Sequence, residues 1–241
     1  MRLSIRRAVL SSLALASLAA GPARAADDAG ALVAKVLAAY GGRAALEKAR
    51  AVMQEGTVTS VMHEGTGRVV RLLQRPGSLR IEIAYPGGEP EVRVVHAGYG
   101  DRNGVEVTGS PAHAAMVLQA ARLSLPLLLT EKGVHLEDRG TVVRGGARAR
   151  VLGVALGAGL DLAVEVNPAT GRIVRSAGSL PGPGGQRLEF ATEYSGFQKF
   201  SGVLFATHEE SWARGQHTGA TQLTRVEVLA RAPDGAFDEP L

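Results

Sequence analysis

PAHAAMVLQAARLSLPLLL, residues 111–129, decides how this 241-residue chain is read. It is the most apolar run beyond the N-terminal leader, and the chain on either side of it has a different periodicity. Ser110-Pro111 makes a helix start, since proline is tolerated in a first turn. Ala115, Val117, Leu118, Ala121 and Arg122 continue at helical spacing. Pro126 breaks or kinks the run, because it has no N–H for the helix ladder and its ring crowds the preceding turn. Leu123, Leu125, Leu127, Leu128 and Leu129 are too apolar for an exposed loop, and Lys132-Gly133 closes the segment.

Upstream of this insert the period is two. Val52 to Met62 and Gly65 to Gln74 form a ragged hairpin pattern. The alternation sharpens at Leu79-Arg80-Ile81-Glu82-Ile83, bounded by Arg75-Pro76-Gly77-Ser78 and Pro86-Gly87-Gly88. Glu91 to His96 follows, then a turn over Gly98 to Gly104 and a short strand at Val105 to Val107. Downstream, Val134-His135-Leu136 leads to Val142-Val143 and then Arg148 to Leu156. The cleanest strand has Leu160, Leu162, Val164 and Val166 alternating with Asp161, Ala163 and Glu165. Asn167-Pro168-Ala169-Thr170-Gly171 turns it into Arg172 to Ser179. Beyond the loop Leu180 to Gln186 come Leu188 to Tyr194, Val203 to Trp212 and Thr221 to Ala230. Alternation with glycine and proline punctuation is the signature of strands wet on one face.

These are about ten short strands with almost no helix between them, the pattern of an antiparallel meander. Parallel βαβ units need a connecting helix of about a dozen residues each, and only one insert could serve. A sheet with this many strands tends to curl or close, and curling makes a concave apolar face that something must cover. The predicted fold is therefore mainly β (α+β): a curved antiparallel sheet forming an incomplete barrel, lidded by an N-terminal helix and the central helical insert. The N-terminal helix is expected to be capped by Asp27 or Asp28. Leu32, Val33, Val36, Leu37 and Tyr40 share one face of it, Gly41-Gly42 ends it, and Ala44 to Ala49 adds about a turn and a half.

The first 25 residues read as a signal peptide. Arg2, Arg6 and Arg7 form a basic start, Ala8 to Ala20 an apolar core and Ala23-Arg24-Ala25 a small-x-small cleavage pattern. The apolar core is shorter than the roughly 20 residues that a membrane span requires. Cleavage after Ala25 leaves residues 26–241 as one domain. It also removes four arginines and no acid, so the +4 chain becomes one with 23 basic and 23 acidic residues. The basic pI near 9.7 is then no signal for nucleic acid or an anionic membrane. The chain has no cysteine, hence no disulfide and no lipid-bearing cysteine. A soluble protein of the Gram-negative periplasm is the expected address.

ALVAKVLAAYGGRAALEKARAVMQEGTVT, residues 31–59, resembles the opening of LolA/LolB-like proteins, the outer-membrane lipoprotein carriers and lipoprotein-sorting relatives: a helix, a Gly-Gly break, a short second helix and a first strand. VNPATGRIVR (166–175), the Tyr194 to Phe205 stretch with its SGVLFATH, the closing Phe237-Asp238-Glu239-Pro240 and LSLPLLL in the insert are similar to that family too. The resemblance implies a half-barrel whose helices cover a hydrophobic cavity, a lipid or lipoprotein acyl chain as ligand, and membrane proteins of the envelope as partners. It carries over no catalytic residue, and the absent cysteine speaks against the membrane-anchored branch.

Carrying an acyl chain through water means hiding about 0.8 kcal/mol of unfavourable contact per methylene, which calls for a deep apolar groove with a movable cover. Met116, Val117, Leu118, Leu123, Leu125, Leu127 and Leu128 would supply it. The alternative is a non-catalytic envelope interaction or regulatory module of the same fold, its core permanently filled by these side chains. Neither reading needs an enzyme, a cofactor or a metal. The six histidines (His63, His96, His113, His135, His208, His217) form no HExxH, and neither GxSxG nor SxxK occurs. Gly182-Pro183-Gly184-Gly185 lacks the lysine of a phosphate loop. Aromatics at 4% leave few platforms for stacking bases, and few for the interfacial girdles of a transmembrane barrel.

Overall fold

The computed structural model describes residues 22–181, 184 and 186–238, with the backbone alone for 22–27. Most of the expected leader and Glu239-Pro240 lie outside the described residues. The first helix, α1, spans Pro22–Ala39, so Asp27 and Asp28 sit inside it rather than at its start. A short α2 (Arg43–Lys48) follows the Gly41-Gly42 break. Gly41 has φ +114, and a Cβ there would stand 2.3 Å from the Gly202 carbonyl oxygen. Only glycine lets the helix end that close to the β-turn beneath it.

A first meander then runs through β1 (Ala51–Ser60), β2 (His63–Gln74), β3 (Ser78–Ala84), β4 (Glu91–His96), β5 (Tyr99–Arg102) and β6 (Val105–Glu106). The insert forms α3 (Pro111–Leu123) and a 3-10 turn (Leu127–Thr130). A second meander returns through β7 (His135–Arg144), β8 (Ala147–Gly157), β9 (Leu160–Val166), β10 (Ile173–Pro181), β11 (Arg187–Phe200), β12 (Val203–Ala213) and β13 (Gln216–Leu229). All thirteen join one sheet in the order β6-β5-β4-β3-β2-β1-β13-β12-β11-β10-β9-β8-β7. The two meanders meet at the centre, where β1 pairs antiparallel with β13. The edges β6 and β7 are not paired with each other, so the barrel stays incomplete, as predicted. The sequence reading of about ten strands is exceeded: Tyr99–Arg102, taken as part of a turn, pairs with both β4 and β6.

The connection between the meanders fixes the architecture. The first ends at one edge of the sheet and the second begins at the other, so the insert must cross the whole concave face. Strand alternation sends apolar side chains to that face. Val52, Val69, Leu73, Leu79, Ile81, Leu152, Leu162, Val164 and Ile173 all lie in one buried cluster with α1 and the insert. Each such side chain contributes roughly 1.5–3 kcal/mol on burial. The opposite face carries ion pairs, among them Glu165 with Arg144 and Arg175. It also carries one small apolar patch, where Leu72 and Ala51 meet Ala232 and Ala236 of the C-terminal tail.

The expected face of α1 is buried: Leu32, Val33, Val36, Leu37 and Tyr40 are all 7% exposed or less. Tyr40 fastens the helix to the sheet. Its hydroxyl accepts from the Ile173 N–H at 3.0 Å, and its carbonyl accepts from the Leu204 N–H at 3.1 Å. Burial raises its phenol well above the usual tyrosine range.

Candidate functional site

The hollow of the sheet is roofed by α3. Ser110 caps the helix by accepting from the His113 N–H at 3.2 Å, and Pro111 occupies its first turn. Docking is close. A Cβ at Gly178 on β10 would lie 2.4 Å from Leu118 Cδ1, and one at Gly100 on β5 would lie 2.4 Å from His113 Cδ2. Two side chains carry the polar contacts. Arg93 on β4 donates from Nη1 to Gln119 Oε1 at 3.1 Å. Tyr194 on β11 donates to the Arg122 carbonyl at 3.3 Å while sharing a 2.7 Å hydrogen bond with Ser176. Burial pushes the Tyr194 phenol up to about 12, and the charge of Glu209 adds to the shift.

The far end of the insert is held by Arg75, from the β2–β3 turn. Its guanidinium bonds Glu131, the Leu46 carbonyl at 3.0 Å and Thr130 Oγ1 at 2.7 Å. One side chain thus ties α2, the 3-10 turn and the sheet together. A second polar device lies within the hollow. Arg71 on β2 donates from Nη1 to Glu209 of β12 at 2.9 Å and from Nη2 to Thr221 at 3.1 Å, with side chains only 5% and 8% exposed. Strands β2 and β12 are three places apart in the sheet, roughly 14 Å on a flat surface. Side chains standing perpendicular to a flat sheet would not meet across that gap. They meet here because the sheet curls towards the insert.

Around the insert the space is divided. Directly beneath it, Leu123 and Leu125 line a cavity of about 30 Å³ with Tyr40, Gln54, Phe205 and Glu209. That is room for a water or two. On one flank Met116 lines a groove of about 190 Å³ with Ala115 and Phe190, continuing past Arg93 and Gln119 to a second groove of about 360 Å³. On the other flank, Val117 and Leu128 face a cleft of about 840 Å³ bounded by Leu156 of β8 and the Arg75 clamp. Leu118 and Leu127 are buried outright, at 1% and 2% exposure. The seven residues singled out in the sequence therefore face different sides of the insert rather than share one face.

Reading the sequence alone missed Arg71, Arg75, Arg122 and Glu209. The signal available was local: Arg71 interrupts Val69-Val70-Arg71-Leu72-Leu73, an apolar run too continuous for a half-wet strand. The histidines disperse. His63 stacks on Tyr85 and His96 on Phe237, while His208 and His217 flank Glu210 at 2.7 and 2.5 Å. No group of three or more His, Asp or Glu among the described residues is placed to hold a metal ion. No helix among them is long and apolar enough to cross a membrane.

An open antiparallel half-barrel with a helical insert across its hollow defines the structural class. The architecture is LolA-like. A LolA superfamily protein of Nitrosomonas europaea superposes with a TM-score of 0.53 at 13% identity, over 88% of this chain and 97% of that one. A domain assigned to outer membrane lipoprotein sorting from Vibrio parahaemolyticus gives 0.47 at 8% identity, covering 88% and 97% of the two chains. A DUF1329 family protein of Desulfovibrio piger gives 0.48 at 11%, covering 87% and 97%. No family model matches the sequence, and no curated protein matches it.

Proposed function

We propose that the protein is a periplasmic carrier that shelters a lipid, a lipoprotein acyl chain or another apolar ligand between the sheet and the insert. The observation that carries this reading is the division of space around α3. An apolar helix crosses the hollow with a small cavity beneath it and an open cleft or groove along each flank. The larger cleft, about 840 Å³, lies within the 300–1,000 Å³ range of small-ligand sites. Met116, Val117, Leu118, Leu123, Leu125, Leu127 and Leu128 are the cover: rotation or lifting of α3 would exchange their contacts with each other for contacts with the ligand. Exchange costs little, because one apolar surface replaces another. An envelope membrane protein would receive the cargo, after the leader has directed export. Organic extraction of protein purified from the periplasm, followed by mass spectrometry, should recover lipid, and a fluorescent fatty-acid probe should bind. An empty extract together with no probe binding would end the carrier reading.

A second reading keeps the fold and fills the hollow permanently, making the protein an interaction module. The small volume under Leu123 and Leu125 and the full burial of Leu118 and Leu127 favour it. Leu125→Asp separates the two. A mobile cover exposes the carboxylate and loses probe uptake with the fold intact, whereas a fixed core must bury an unpaired charge and unfolds.

A further inference from the structure

The hollow is not only apolar; it carries an uncompensated positive charge. Arg122, on the insert, leans towards the interior between the 30 Å³ cavity and the 190 Å³ groove. The residue keeps some exposure overall, yet its Nε is sealed from solvent and finds no acceptor. Among the described residues the one carboxylate acting on it, Glu209, is already bonded by Arg71. Burial pulls the Arg122 guanidinium below the usual arginine range, opposed by the charges of Tyr194 and Glu209. Arg71 itself has an Nε with no acceptor.

At the mouth of the groove the same imbalance recurs. Glu91 bonds Arg93 through two parallel contacts of 2.9 Å and Arg102 through a third of 2.7 Å, one carboxylate shared by two guanidiniums. Among the residues lining the two grooves and the central cavity, four guanidiniums face two carboxylates. Apart from the Gln119 amide, the remaining lining of the smaller groove is hydrocarbon: Ala112, Ala115, Met116, Leu118 and Phe190. Buried cations without partners are disfavoured unless something else supplies the countercharge, and guanidinium groups are matched in shape to carboxylates and phosphates.

We infer that the ligand is an anionic amphiphile, a single hydrocarbon chain ending in a carboxylate or phosphate that Arg122 receives while Arg93 and Arg102 guide it in at the groove mouth. The inference rests on the carrier reading and narrows it: the chain takes the place of apolar contacts around the insert, and the head neutralises the interior.

The test compares three probes with the same sixteen-carbon chain by isothermal titration: palmitate, palmitoyl lysophosphatidate and uncharged monopalmitoylglycerol, with inorganic phosphate as a head-only control. The anionic probes should bind about tenfold or more tightly than the neutral one, and their order tells whether the head is a carboxylate or a phosphate. Arg122→Met should bring the anionic probes down to the neutral level and leave monopalmitoylglycerol unchanged. Equal affinity for all three probes in the unaltered protein, or an equal loss for all three in Arg122→Met, overturns the anion assignment and leaves the carrier standing. If no probe binds, both fall. Should Arg122→Met fail to fold, the double variant Arg93→Gln/Arg102→Gln at the groove mouth, where Arg93 is half-buried and Arg102 exposed, carries the same comparison: a reduced anion preference supports the assignment, and an unchanged one refutes it.

Discussion

Replacing Glu209 by alanine should be the most damaging single change inside the hollow. The carboxylate is 8% exposed and is bonded by Arg71, itself 5% exposed; its charge also offsets that of Arg122. Removing one partner of a buried pair leaves a desolvated charge and costs about 3–5 kcal/mol. In a chain of this size each kcal/mol lowers the melting temperature by about 2–4 °C, so the loss should be about 6–20 °C. Removing both charges is a different perturbation. Arg71→Met/Glu209→Leu puts apolar groups where two ions had been, leaves Thr221 without its 3.1 Å donor, and should sit within about 2 kcal/mol of the unaltered protein. Urea denaturation followed by circular dichroism of the parent, Arg71→Met, Glu209→Leu and the double variant gives the four stabilities of the cycle, and the two sites should couple by about 2 kcal/mol or more. A Glu209→Ala variant within 1 kcal/mol of the parent, or singles that simply add, would falsify the claim that this pair is buried and mutually dependent.

Three further outcomes follow from particular contacts. Arg75→Met deletes bonds to Glu131, Thr130 and the Leu46 carbonyl and should cost about 2–3 kcal/mol, with hydrogen exchange accelerated in 127–133 but not in β9; exchange unchanged in that turn would refute the clamp. Gly178→Val places a side chain where Leu118 Cδ1 stands 2.4 Å from the ideal Cβ; overpacking of about 1–3 kcal/mol should appear, and recovery in the Gly178→Val/Leu118→Ala double variant checks that the clash is with the insert. Glu91 lies below the usual carboxylate range: burial raises it, but Arg93 and Arg102 outweigh that. A carboxyl depressed in the folded state contributes stability above its unfolded value of about 4.3 and loses it as pH falls through the folded one. Melting temperature should therefore drop less steeply below about pH 5 in Glu91→Gln than in the parent, and parallel curves would contradict the pairing.

The fold was legible because burial here follows a short period. β9 gives the clearest case: Leu160, Leu162 and Val164 enter the core, and the charges between them face outward. β5 was obscured by its own composition, since Gly98, Gly100, Asn103 and Gly104 around four residues look like one turn, and only pairing with β4 on one side and β6 on the other makes them a strand. The packing of the insert against the sheet was visible in its leucines. The charged residues were only hinted at, since Arg71 breaks a continuous apolar run but nothing nearby in the sequence names its partner. Arg71 finds Glu209 across 138 residues of sequence, a distance that no local pattern spans. Of the seven insert residues only Met116, Val117, Leu118 and Leu123 lie on α3; Leu125, Leu127 and Leu128 follow it, where Pro126 and the 3-10 turn redirect the chain.

The insert joins the two free borders of the sheet. Between Glu106 and His135 the backbone leaves one border, crosses the opening and enters the other, like a bowstring drawn between the tips of a bow. Displacing that string to admit a guest must either slacken its attachments or draw the tips together or apart. On the proposed carrier reading, a guest that widened the gap would bend the whole frame, with the largest displacement expected at the outermost strands, β6 and β7.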